Sequence, residues 1–184
     1  MASRRFGVLA EDATDVGVLR VLIQRRLGGG AKVLGRAGKG CARVRSKAQS
    51  WMAQFSAAGI REVVIVHDCD NRAREQQLRR ELEAIDVPQG IERHICIPVE
   101  EMEAWFWADP RVVREIGRGK GNASLSPHLI QGPKEALIRL SRDANKRPRY
   151  TTQENERLAK MLDMELCARC CPSFRDLLDF LRRR

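Results

Sequence analysis

The sequence lacks several things, and each absence excludes a class of protein. No stretch approaches the roughly 20 consecutive apolar residues of a helical membrane span. No internal repeat is visible, so a solenoid or array is not expected. Aromatic residues make up only 5% of the 184, and Tyr150 is the single tyrosine. There is no Ser/His/Asp or Cys/His pairing of the kind that activates a nucleophile. Gly38-Lys39 is not a P-loop, because Val33 and Gly40 stand where that motif needs a glycine and a hydroxyl. The first fifteen residues meet Glu11 and Asp12 before any long apolar core, which predicts no secretory signal. The six cysteines are then expected as reduced thiols in a cytoplasmic protein. Only Cys167, Cys170 and Cys171 cluster, and the second pair that a structural zinc site needs is missing. They read as core or interface thiols.

What is present is ordinary in bulk and uneven in charge. Hydrophobic residues are 43% and charged residues 32%, which fits a folded soluble domain. Lys and Arg number 34 against 24 Asp and Glu, a net charge of +10. Residues 1–50 carry eleven Lys/Arg and three acids. A basic surface draws polyanions, and nucleic acid is the commonest one inside a cell.

The pattern of apolar residues predicts strands at 5–10, 31–34, 62–67 and 91–99. The run Val63-Val64-Ile65-Val66 is the clearest, as in a parallel strand covered on both faces. Helices are expected at 16–27 with Thr14 as N-cap, at 41–58, at 72–85, from 100 to 108, and from Pro110. Residues 35–40 and 117–133 read as loops, and 134–145, 152–163 and 173–182 as short helices. Alternation of this kind predicts an α/β fold with a mainly parallel four-stranded sheet flanked by helices. The domain is expected over 1–116, with a helical C-terminal extension at 117–184 on the same body.

Acids recur where the strands end. Glu11 ends the first strand, Asp68 and Asp70 the strongest one, and Glu100, Glu101 and Glu103 come after the last. Ligands of open parallel sheets bind beyond these carboxyl ends. Adjacent strands lie about 4.8 Å apart, so carboxylates on neighbouring strands would converge. They would repel unless a cation neutralised them, and hard oxygen ligands suit Mg²⁺ or Mn²⁺. The plainer reading is that Asp is common after strands as a turn and cap residue.

Glu11-Asp12-Ala13-Thr14-Asp15 after one strand, with Asp68-Cys69-Asp70 after a later one, resembles the Toprim domain of topoisomerases, primases and OLD-type nucleases. That family's pattern is a Glu on the first strand, usually in Glu-x-Gly-x-Thr-Asp, and Asp-x-Asp on the third. Glu101-Met102-Glu103-Ala104-Trp105, Lys146-Arg147-Pro148-Arg149-Tyr150 and Cys171-Pro172-Ser173-Phe174-Arg175 resemble small stand-alone Toprim-like bacterial proteins of uncharacterised function. The sequence departs at Ala13, where the family usually has Gly.

The resemblance implies metal-dependent phosphodiester chemistry on nucleic acid, most simply a DNA nuclease. Glu11 would be a metal ligand or general acid/base, Asp68 and Asp70 would bind Mg²⁺, and Glu101 or Glu103 would complete a second metal site. Arg36, Lys39, Arg43 and Arg45 would hold the nucleic-acid backbone. It also implies an ATPase partner in phage defence. The alternative is a catalytically degenerate module that binds nucleic acid or regulates a partner.

Overall fold

The computed structural model describes residues 4–69 and 71–183. They form an α/β fold around a four-stranded, all-parallel sheet of order β2-β1-β3-β4. The strands are β1 (Arg5–Ala10), β2 (Lys32–Ala37), β3 (Glu62–Val66) and β4 (Glu92–Cys96). Between them run α1 (Ala13–Arg26), α2 (Cys41–Ala57) and α3 (Glu75–Glu83). After β4 come α4 (Pro110–Gly117), α5 (Pro133–Leu140), α6 (Asn155–Met161), α7 (Met164–Cys170) and α8 (Pro172–Arg182).

The strand alternation divides the core in two. Phe6, Val8, Val64, Val66 and Cys96 face a layer made of α1 and the C-terminal helices, in one continuous apolar cluster. Leu9, Val63, Ile65 and Ile95 face α2 and α3 in a second cluster. Both faces of β1 and β3 are therefore covered, which is why these strands are apolar after their first residues, Arg5 and Glu62. Leu158 of α6 and Phe174 and Leu177 of α8 belong to the first cluster. Cys167, Cys170 and Cys171 are buried there as free thiols. Trp105 is also core, edge-on to Phe174 at 5.0 Å with its indole N–H on Ser173. No helix among the described residues is long and apolar enough to cross a membrane.

The structure moves several expected boundaries. Helix α1 is capped by Asp12, not Thr14, and begins at Ala13. The Asp12 carboxylate accepts from Thr14 N and Asp15 N while the Asp15 carboxylate accepts from Asp12 N, a reciprocal cap that a hydroxyl two residues later cannot match. Ala13 is thus the first helical residue and does not have the positive φ that would call for glycine. Strand β2 continues through residues 35–37 instead of giving way to a loop, placing Arg36 on the sheet. Gly35 allows this: a Cβ there would lie 2.1 Å from the Val16 side chain, so only glycine lets α1 seat on this edge. Residues 102–108 form a 3₁₀ helix, and the segment expected as one helix at 152–163 is a 3₁₀ turn leading into α6. Asp163 then caps a further helix, α7, by accepting from Leu166 N.

Candidate functional site

The chain builds outward from β1 in both directions, to β2 on one side and β3 on the other. The carboxyl ends of β1 and β3 border the crevice where such sheets bind ligands. The register pairs Leu9 with Ile65, so Glu11 and Asp68 leave neighbouring strands at the same edge. Backbone bonds fix the segments beyond the strand ends. Gly38 N and Gly40 N bond to the carbonyls of Ala10 and Glu11 at 2.9 and 3.3 Å. Cys69 N bonds to Pro98 O at 3.1 Å, and Glu100 N to Cys69 O at 2.9 Å.

Five carboxylates meet at this edge electrostatically. Asp68 is held well above the ordinary carboxyl range, first by burial and then by the charges of Asp15, Glu103, Glu11 and Glu101. Among the described residues no donor serves its carboxylate. Asp15 is buried, and its pKa is pushed up to about 7 by burial, then by Asp12 and Glu103. Among the described residues its carboxylate accepts one hydrogen bond, from the Asp12 N–H at 3.3 Å. Glu103 is also raised by burial, although Asn155 Nδ2 donates to it at 3.0 Å. Asn155 Oδ1 in turn accepts from the Tyr150 hydroxyl at 2.6 Å. Glu11 is half-buried and accepts from the Cys41 thiol at 2.9 Å.

The other acids of this segment already have partners. Glu101 takes Lys134 Nζ at 2.9 Å and Lys134 N at 3.0 Å. Burial disfavours the Lys134 ammonium, but Glu101 outweighs it and raises its pKa. Glu100 accepts from Gly132 N at 3.1 Å. Asp70 lies outside the described residues. Among those described, no three His, Cys, Asp or Glu side chains form a ready metal-holding group. Sequence reasoning missed Asp15 as a site residue. The available signal was its place as the last residue of the Glu11–Asp15 motif.

The basic candidates separate. Arg36 extends from β2 toward Gln54 on α2, at 3.4 Å. Lys39 is exposed in the connecting turn with φ 55°, and Arg43 and Arg45 are exposed near the start of α2. Arg45 donates to His67 Nε2 at 3.0 Å. His67 Nδ1 lies 2.8 Å from the Asp68 carbonyl oxygen. The start of α2 receives no side-chain cap from Gly40. Its first residue, Cys41, meets Glu11 and borders, with Arg45, His67, Asp68 and Arg74, a cavity of about 300 Å³, so the positive dipole end of α2 lies at this edge. Carboxylates beside a helix N-terminus and guanidinia can hold a cation and an anion together.

No curated protein and no solved structure matches the chain. A family model matches residues 11–182, from Glu11 to the last turn of α8. The chain belongs to the DUF4276 family, a domain of unknown function.

Proposed function

We propose that this protein carries out Mg²⁺- or Mn²⁺-dependent phosphodiester chemistry on nucleic acid, as its resemblance to Toprim nucleases implies. The observation that carries the reading is the uncompensated charge at the sheet edge. Burial and mutual repulsion raise the pKa of Asp15, Asp68 and Glu103 together, while among the described residues the Asp15 carboxylate accepts only from Asp12 N and Glu103 has one side-chain donor, Asn155. A hard divalent cation converts each repulsion into attraction, and an all-oxygen donor set suits Mg²⁺ or Mn²⁺ better than a softer metal.

Glu11 and Asp68 would hold the cation, with Asp70 as the further oxygen donor. Glu103 and Asp15, coupled electrostatically to Asp68, would add negative charge once ionised. Glu101, committed to Lys134, contributes only if that ion pair opens. The cation, when bound, offsets charge on the phosphate and eases ionisation of water. The start of α2 and Arg45 would orient the phosphate, and Arg36, Lys39 and Arg43 would track the backbone beyond it. The setting proposed is the cytoplasm, with an ATPase partner in phage defence.

The second reading is a non-catalytic module that binds nucleic acid or regulates a partner. It is favoured by the lack of three grouped ligands among the described residues. The test is nicking of supercoiled plasmid and cleavage of single-stranded DNA with Mg²⁺ or Mn²⁺, beside Mn²⁺ titration calorimetry. The expected result is metal-dependent cleavage that falls at least about 100-fold in Asp68→Ala, together with Mn²⁺ binding. Mn²⁺ binding without cleavage selects the second reading. Neither binding nor cleavage overturns the metal site.

A further inference from the structure

A second charged surface is made by the segments that come after α4 and α5. Residues 111–160 carry twelve Lys/Arg and five Asp/Glu. Two adjoining cavities, of about 500 and 400 Å³, both include Arg118 and Arg149 and so form one groove. Arg157 and Tyr150 line one part, and Lys120 and Arg142 the other.

Two independently pinned loops bring these cations together. The first comes after α4. Arg118 caps that helix in the left-handed conformation with φ 53°, where glycine is the usual residue. Gly119 N closes the turn on Arg114 O at 2.7 Å. Gly121, at φ 89°, lies so near Leu140 that an added Cβ would be 3.0 Å from it, so the loop is seated on α5. The second loop comes after α5. The Asp143 carboxylate accepts from Asn145 N and Arg147 N, and Arg149 and Tyr150 donate their amides to Ser141 Oγ.

The fold makes uneven use of the charges so placed. Arg157 bridges Glu115 and Glu154, and Arg149 meets Asp143 at 3.5 Å. Arg118, Lys120 and Arg142 have no ion-pair partner among the described residues. Three exposed cations on rigid loops, one held in a backbone conformation costly to arginine, raise self-repulsion without a structural return. A preorganised row of this kind suits a ligand with anions in series.

We propose that the groove of Arg118, Lys120, Arg142 and Arg149 binds the phosphodiester backbone of nucleic acid, separately from the acidic edge. This shares its ligand with the proposed nuclease site but requires no metal and no cleavage. Guanidinia take phosphate oxygens in pairs, and a continuous groove fits a running backbone better than one isolated phosphate.

The experiment is fluorescence anisotropy of labelled duplex and single-stranded DNA with the full chain in EDTA, across a salt series. The variant is Arg118→Gly/Lys120→Ala/Arg142→Ala. The glycine relieves the left-handed position, so folding should survive, and the urea midpoint checks it. Affinity is expected to fall at least tenfold. The slope of log K against log salt should shrink by about 2 to 3, near 0.9 per duplex phosphate contact and 0.7 per single-strand contact. Unchanged affinity and slope in the folded variant overturn the proposal, as does wild-type protein that binds no DNA, or that binds anionic phosphatidylglycerol vesicles in preference to it. Loss of cleavage in Asp68→Ala with groove binding intact leaves it standing. If the triple variant unfolds, Lys120→Ala and Arg142→Ala alone must each reduce the slope, and an unchanged slope in both overturns it.

Discussion

Asp109 and Asp15 are both removed from solvent, at 0% and 8% exposure, yet they ionise in opposite directions. Burial pushes both upward. At Asp109 it is outweighed by the Arg111 guanidinium, by Asp163 N at 2.6 Å and by Arg111 N at 2.8 Å, so the pKa falls below the ordinary value. At Asp15 there is one amide, and the other neighbours are acids. Burial therefore does not decide the fate of a carboxylate; the supply of donors does. Asp109 is complete without a ligand, because it caps α4 and ties down the chain between α6 and α7. Among the described residues the Asp15–Asp68–Glu103 group lacks such donors, and that lack is what supports the proposed function.

The largest consequence is a pH dependence of opposite sign at the two places. Asp15 has a native pKa of about 7 against 3.8 for the ordinary group. Between these values the folded protein holds the proton that the unfolded chain has lost. The Asp15 contribution to stability is then greatest below pH 4 and declines as pH rises through 7, by an amount on the order of 4 kcal/mol. Asp68 and Glu103, raised in the same direction, add to the decline. Asp109 acts the other way: its contribution is present above pH 3.8 and is lost as pH falls through its lower native pKa. Urea denaturation in EDTA should show lower stability at pH 7.5 than at pH 5. Asp15→Asn or saturating Mn²⁺ should flatten that fall. An equally steep fall in Asp15→Asn would break the comparison.

Asp109→Ala tests the structural half. It leaves Arg111 N and Asp163 N without their acceptor and removes the α4 cap. A loss of about 3 kcal/mol is expected, read as a lower urea midpoint with unchanged slope. Mn²⁺ affinity of the folded fraction should not change. A loss below about 0.5 kcal/mol would show that the donors around Asp109 are incidental.

The sequence allowed this contrast to be seen only in part. The four strands were legible because Val63–Val66 and the apolar stretch of β1 are covered on both faces, and the acids at their ends were legible because strand ends mark ligand sites in open sheets. Asp12 as a cap was hidden by Thr14, since either residue type starts helices and only the reciprocal Asp12–Asp15 bonds decide. The reach of β2 to Ala37 was hidden because Gly35 reads as a loop residue until Val16 is seen against it. The donors could not be read at all. Lys134 meets Glu101, Asn155 meets Glu103, and Asp163 N meets Asp109 across separations of 33, 52 and 54 residues. Which acid is neutralised is a tertiary fact, and so is the identity of the ones left over.

Glu103 is the intermediate case, with one side-chain donor among the described residues, and it gives the smallest and sharpest test. The Tyr150 hydroxyl holds Asn155 Oδ1, which keeps Asn155 Nδ2 aimed at Glu103. Tyr150→Phe keeps the ring and removes only that hold. The cost to stability should be about 1 kcal/mol, the usual net worth of one buried hydrogen bond. An Asn155 side chain no longer oriented turns between offering its amide and its carbonyl to Glu103. The hydrogen bond that favours the ionised Glu103 is then lost, and Mn²⁺ should recover a larger share of the stability at pH 7.5 than it does in the wild type. If donor supply governs these acids, the variant must shift the cation's effect as well as the midpoint. A lower midpoint with an unchanged response to Mn²⁺ would mean that Tyr150 and Asn155 only fill the core, and that Glu103 stands outside the group that Asp15 and Asp68 form.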